Sequence, residues 1–436
     1  MSLVAIFFVL VYFGGLILAF AKKQPIWGMM SYLFAFYMHP PVRWWGESLP
    51  DLRWSFTASI LTLIVVFMAK GDAKLKFFEF KENKLLLTFF VFLLLQSFRV
   101  ESDLLHSVYV SLFFKLLILI FIIQNSIKSE RELLYFLAIN AIGCSYFGYL
   151  GLTEHSGGRL ETVGGPGLTS ANQLAQHIGV ILFFSAYLLL STQSRNIKIY
   201  ALITTPILLE AIMLTQSRTV IIAIVLTGLV AIVYPPPKAK KKFYTLAILG
   251  GIAFSILLGS QIVDRLNQLA ANNEEQQQDK SAESRMVIIK SQWDMFLDSP
   301  VIGHGHRSTL LLSPFYIPAE YRYSEKRGPD VQTYRASHNF IMSMLVDHGI
   351  IGSVLYFLVI FSCLKKSREI AKIRSEDADI TNLQTIGISL GLALVLFMVA
   401  GLGSNNKVLE IDIWLYAIIP LVYQMIKDKQ KMESLK

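Results

Sequence analysis

Charge is scarce in this sequence. Only 16% of its 436 residues are Asp, Glu, Lys or Arg, whereas 54% are hydrophobic, and the mean hydropathy is +0.51. Soluble domains carry about 25% charged residues, so a water-soluble globular chain is excluded. Cysteine is nearly absent. Cys144 and Cys363 both fall in apolar runs, which excludes a disulfide framework and leaves the compartment open. No Gly-Lys-Ser/Thr follows the glycines of 157–167, so there is no P-loop to couple the chain to ATP. No internal repeat is visible, and the inverted-repeat signature of many secondary transporters is therefore missing. No Cys/His/acidic cluster has metal-ligand spacing, so no metal and no cofactor is expected. The first apolar run lacks a basic stretch before it and a small-residue cleavage site after it. It reads as a retained span and not a signal peptide.

Long apolar runs dominate instead. They predict an all-α polytopic membrane protein with about 12–13 transmembrane helices. The expected spans are 3–21, 25–39, 55–69, 85–98, 104–124, 132–152, 173–191, 198–214, 218–234, 243–260, 347–364, 383–403 and 409–426. The net charge of +9 does not point to nucleic acid, because the Lys and Arg residues collect in alternate short loops. Lys22, Lys23, Lys81, Lys84, Lys365, Lys366 and the Lys-rich tail mark one side. The short loops opposite hold only Arg43, Arg53, Arg99, Arg159, Arg218 and Lys407. The positive-inside rule then puts the N-terminus outside and the C-terminus in the cytoplasm. Three regions follow: a transmembrane bundle over 1–260 with about ten spans, a large outer loop over 261–346, and C-terminal spans with a cytoplasmic tail over 347–436.

The outer loop is long enough for a small domain. Residues 267–280 are Asn/Gln/Glu-rich and too polar to hold a packed core. Glu283 to Asp298 reads as an amphipathic helix with Met286, Ile289, Trp293 and Phe296 on one face, lying on the membrane or capping the bundle. Residues 301–337 are basic and rich in tyrosine, a composition that suits sugars and phosphates or a solvated loop. Arg43-Trp44-Trp45 and Arg53-Trp54 resemble an interfacial aromatic belt.

Several residues could carry chemistry. His338 stands just above a span in Ser337-His338-Asn339, where a neutral imidazole can accept a proton from a hydroxyl; the plainer alternative is a polar residue at a helix start with Ser337 as its cap. Arg218 follows Gln216-Ser217 at the outer end of the ninth span. It could snorkel or clamp phosphate oxygens through its guanidinium fork. Arg159 lies in a turn-rich loop that is a binding loop or an ordinary connector, and Asn172 is expected to cap the seventh span. Lys115, His177 and Glu210 fall inside spans, where an ionisable group is costly and faces a cavity or a partner. Glu210 could pair with Lys115 or with Arg218. His304-x-His306 could share a face, but no carboxylate accompanies it in sequence, and Gly303 and Gly305 favour a turn.

Four pieces of the chain carry a family resemblance. GRLETVGGPGLTSANQLA, LTQSRTVIIAIVLTGLVAI, SAESRMVIIKSQWDMFLDSPVIGHG and SHNFIMSMLVDHGIIG, in that order, resemble the bacterial O-antigen ligase and polymerase superfamily. MHPPVRWWGESLPDLRWS further resembles the N-terminal region of exosortase-A-associated putative O-glycosylation ligases. The resemblance implies a glycosyltransferase in a bacterial inner membrane, moving a glycan from undecaprenyl diphosphate to an acceptor hydroxyl on the periplasmic face. It assigns the loop histidine to His338 and the family arginines to Arg159 and Arg218, with Arg285 as a further candidate for the donor diphosphate. Asn339, Asn172, Lys115 and Glu210 would support the site. The implied partners are the lipid-linked donor, a lipid, glycan or protein acceptor, and the bilayer. No pair of outer carboxylates suggests a covalent intermediate, so one inverting displacement is expected. Ligase and polymerase remain open. A polysaccharide or lipid transporter is the alternative of another class, favoured by Lys115 and Glu210 and opposed by the missing repeats.

Overall fold

The computed structural model describes residues 1–69, 77–154, 157–165, 167–190, 195–235, 240–271, 275–322, 334–405 and 409–435, with the side chains of 253, 254, 257, 258, 260–271 and 275–282 not described. Every expected span coincides with a helix: α1 (Leu3–Lys22), α2 (Pro25–Met38), α3 (Trp54–Met68), α4 (Lys81–Gln96), α5 (Asp103–Ser126), α6 (Glu130–Thr153), α7 (Ala171–Leu190), α8 (Arg195–Leu214), α9 (Arg218–Val233) and α10 (Lys240–Ala271). After the outer helices α11 (Glu275–Asp298), α12 (Ser308–Tyr316) and α13 (Ala319–Arg322) come α14 (Phe340–Lys372), α15 (Ala378–Gly401) and α16 (Glu410–Ser434). No strand occurs among the described residues. The protein is an all-α polytopic membrane protein. Among the described residues seven helices are long and apolar enough to cross a bilayer, namely α1, α5, α6, α7, α8, α14 and α15, and α3 and α9 are shorter apolar helices.

Local sequence sets the helix starts. Ser2, Ser102 and Ser129 accept backbone N–H groups three residues on, as N-caps do. Burial sets the layering. The most apolar stretch of α15 is 83% buried and that of α7 is 72% buried, whereas that of α1 is 28% buried. Thus α15 and α7 form the centre of the bundle, with α9, α14 and α16 packed around α15. A separate small core of Ile288, Met295, Phe296, Ile317 and Val346 holds α11–α13 onto the end of α14.

The loop boundaries differ from expectation in an informative way. Helix α14 begins at Phe340 instead of 347, and α10 continues to Ala271. The polar segment 267–280 is helical in its backbone on both sides of 272–274, which lie outside the described residues. The α11 helix ends at Asp298 as Ser299-Pro300 requires, but its buried face is rotated. Ile288, Gln292, Met295 and Phe296 are buried, while Met286 (68% exposed) and Trp293 (48%) point away. The reason is that α11 packs on α12 and α14 through a face containing the polar Gln292, which apolar periodicity alone does not mark.

One interlock positions the outer segment. Helix α14 is kinked at Gly349 (φ 59°). There the turn 300–305 inserts into its ladder: the N–H groups of Ile350 and Ile351 donate to the carbonyls of Pro300 and Val301, and those of His304 and Gly305 donate to the carbonyls of Val346 and Asp347. A Cβ on Gly303 would lie 2.4 Å from the Gly349 nitrogen, and one on Gly349 would lie 2.5 Å from the Val301 carbonyl carbon. Only glycine fits either place.

Candidate functional site

A cavity of about 430 Å³ opens where the outer segment meets the bundle. Its walls come from the 159–173 segment, the start of α12, the 336–338 strand of chain leading into α14, and Ser404-Asn405 after α15. Three helix N-termini converge on it. Ala171 to Gln173 begin α7, Thr309 and Leu310 lie in the first turn of α12, and His338 stands two residues before α14. Several of their first-turn N–H groups are already paired, but their aligned dipoles favour an anion.

Arg159 and His338 both line this cavity. The Arg159 Nε–H donates to the Thr215 carbonyl at 3.1 Å, and its Nη2–H donates to Asn172 Oδ1 at 2.9 Å. Asn172 Oδ1 also accepts the Ser217 hydroxyl at 2.9 Å. Asn172 is therefore not the cap of α7, which starts at Ala171. It is a bracket that ties Arg159 to the turn before α9. Two of the five guanidinium N–H groups are fixed, and the others remain for a ligand.

His338 is exposed to the cavity. Partial enclosure of its ring lowers its pKa below 6.5, and the nearby charges of Arg285 and Arg335 add to the effect. Its neutral form is thus the ordinary one, as a proton acceptor requires. Ser337 is buried and accepts an N–H from Gln292 of α11 at 2.9 Å. Asn339, and not Ser337, caps α14: its Oδ1 accepts the Met342 N–H at 3.0 Å. The histidine is held between two anchored neighbours.

The structure adds groups that the sequence did not single out for this role. Arg307 lines the cavity with a left-handed backbone (φ 62°), a conformation that costs a non-glycine residue about 1–3 kcal/mol. It is held there by buried Asp347, whose carboxylate accepts the N–H groups of Arg307 at 2.8 Å and Ser308 at 3.0 Å. His306 lines the cavity too, stacked on Tyr109 at 4.1 Å between centroids. Thr162 and Gln216, beside the cavity wall, also have positive φ. Among the described residues Glu161 is the one carboxylate in the lining.

Other sequence candidates fall elsewhere. Arg218 is exposed at the start of α9, next to Ser217, but is not in the cavity wall. Arg285 is exposed on α11, close enough for its charge to act on His338. Glu210 is half-buried in α8, and no ion pair among the described residues joins it to Lys115 or Arg218. Lys115 lies 5.8 Å from the Phe56 ring centroid and lines a different cavity. His177 is buried beside the Tyr37 hydroxyl at 3.0 Å. His304 bonds Glu101 and the Met295 carbonyl and does not reach the site. Within the basic stretch 301–337, residues 323–333, with Lys326 and Arg327 among them, lie outside the described residues.

The expectation that no carboxylate accompanies the His-x-His pair needs correction. The fold brings His306, Asp347 and His348 together, all buried, with ligand-type atoms within 4.8 Å of one another. These groups also hold the interlock. Asp347 clamps the 307–308 turn, and the His348 Nδ1 faces Gln96 Oε1 at 3.0 Å. Gln96 Nε2 in turn donates to the carbonyls of Ile302 and Asp347.

Residues 203–357 match the protein-family model described as O-antigen ligase. The matched span runs from α8 into α14 and includes Arg218, Arg285, Arg307, His338 and Asp347, while Arg159 and Asn172 precede it. No curated protein matches the chain.

Proposed function

We propose that this chain, a member of the O-antigen ligase superfamily by its 203–357 domain, transfers a glycan from a polyprenyl diphosphate, undecaprenyl diphosphate in bacteria, to an acceptor hydroxyl on the periplasmic face of the inner membrane. The superfamily acts in membrane glycan ligation or polymerisation. The observation that supports the finer reading is the pairing, in one cavity, of the fixed Arg159 guanidinium and of Arg307 with an exposed histidine whose pKa is lowered.

The diphosphate sits against Arg159 and Arg307 and the converging helix N-termini, with Arg218 and Arg285 completing the positive surroundings. As the bond from the anomeric carbon to the diphosphate oxygen breaks, charge grows on that oxygen, and pre-set cations stabilise it. His338 takes the proton from the acceptor hydroxyl as that oxygen attacks. One displacement inverts the anomeric centre. Among the described lining residues Glu161 is the one carboxylate, which favours this over a double displacement through a glycosyl-enzyme, which uses a pair.

A ligase is the favoured member of the pair, on the N-terminal resemblance to O-glycosylation ligases; a polymerase would extend a second lipid-linked repeat at the same site. Purified protein incubated with undecaprenyl-diphosphate glycan and candidate acceptors tests the reading by the mass of the product. Transfer is expected to proceed in EDTA. Absence of any transferred product with every lipid, glycan and protein acceptor offered would reject it.

A further inference from the structure

A second cavity, of about 450 Å³, lies between α2, α3, α5 and the start of α16. It shares no lining residue with the first. Its lining is mostly apolar, with Leu112, Leu116 and Leu119 of α5 on one wall, and it includes Arg53. Lys115 lines it from well inside α5, about 18 Å along the helix from its start at 1.5 Å per residue.

Lys115 is exposed, and so are Val108 and Phe114 on the same side of α5 and Phe56 and Ile64 on α3. This is the surface a bilayer would cover, so the cavity opens sideways toward lipid. An ammonium group at such a depth is costly unless something neutralises it. No ion pair among the described residues includes Lys115 or Arg53. Among the described lining residues the two carboxylates, Asp51 and Glu410, form no ion pair with either cation: Asp51 accepts the Arg53 backbone N–H at 3.1 Å, and Glu410 accepts the Tyr32 hydroxyl. A second observation points the same way. His39 (φ 39°) and Arg53 (φ 47°) both line this cavity in left-handed backbone conformations, a strain that collects at binding sites.

We propose that this cavity binds an anionic membrane phospholipid, its phosphate between Lys115 and Arg53 and its acyl chains along the leucines of α5. Charge complementarity selects the head, and the apolar wall selects the chains. The site is independent of glycan transfer and would operate whatever the first cavity does.

Native mass spectrometry of the delipidated full chain in detergent tests this, with phosphatidylglycerol, phosphatidylcholine and inorganic phosphate as probes. One phosphatidylglycerol is expected to be retained in preference to phosphatidylcholine, and inorganic phosphate should not displace it. Lys115→Gln should weaken retention by about fivefold, the order expected for one cation at a lipid phosphate. Arg53→Gln should act in the same direction, and Lys115→Arg should preserve binding. Lys84→Gln, an exposed lysine on α4, should change nothing. Equal retention of the two lipids, displacement by inorganic phosphate, or unchanged phosphatidylglycerol binding in both Gln variants would overturn the proposal.

Discussion

Asp347 accepts the backbone N–H of Arg307 across forty residues of sequence, at 2.8 Å. The bond joins the kink of α14 to the strained turn that presents Arg307 to the cavity. Replacing Asp347 by Ala leaves the buried Ser308 N–H without its acceptor, at about 1–3 kcal/mol, and frees the part-buried Arg307 N–H as well. Asp347→Ala should therefore lower the melting temperature and raise KM for the lipid-linked donor. Asp347→Asn, which keeps one acceptor oxygen, should fall between the two. A melting curve and donor kinetics unchanged in Asp347→Ala would show that the clamp does not position Arg307.

The bracket at Asn172 gives a second expectation. Arg159 depends on Asn172 Oδ1 for one of its two fixed bonds. Asn172→Ala should weaken donor binding by an amount close to that of Arg159→Lys, because both lose the oriented fork while Lys keeps the charge. Arg159→Ala should be worse than either. Donor titration of the three variants checks the order; an Asn172→Ala protein with normal donor affinity would detach Asn172 from the site.

His338 supplies the sharpest test. His338→Ala should still bind donor, while transfer falls by roughly 100-fold or more, the usual scale for a lost general base. A base works only when unprotonated, so transfer should fall as pH drops through its pKa. That pKa is lowered by enclosure and by Arg285 and Arg335, so the acidic limb should lie below 6.5. Arg285→Gln removes one of those charges and should move the limb upward. Asn339→Ala loses the α14 cap, worth about 1 kcal/mol of stability, and should slow transfer far less than His338→Ala. An acidic limb that persists in His338→Ala would move the search to Glu161, the carboxylate in the same lining.

Sidedness is tested by labelling. Phe315 on α12 is 82% exposed, and the two native cysteines are buried and unpaired, so background should be low. A Phe315→Cys protein in cells should react with a membrane-impermeant maleimide added from the periplasmic side. Reaction only after the inner face is opened would reverse the assigned orientation.

The sequence alone determined the helices. Apolar runs of span length survive any tertiary arrangement, because a bilayer forces backbone polar groups to pair within the segment, and all thirteen expected spans are helical. It also marked His338 and Arg159, since a polar residue beside a span is visible without a partner, and Gly303 and Gly305 for a turn. Tertiary structure alone decided the rest. The buried face of α11 depends on the polar Gln292, which no hydropathy period reveals. Asp347 becomes the clamp on Arg307 because the 300–305 turn enters the kink at Gly349. Asn172 changes from a presumed cap to the bracket of Arg159 because the 215–217 turn comes alongside it. Each of these rests on a contact between segments far apart in the chain, and such contacts leave no local period or spacing to read.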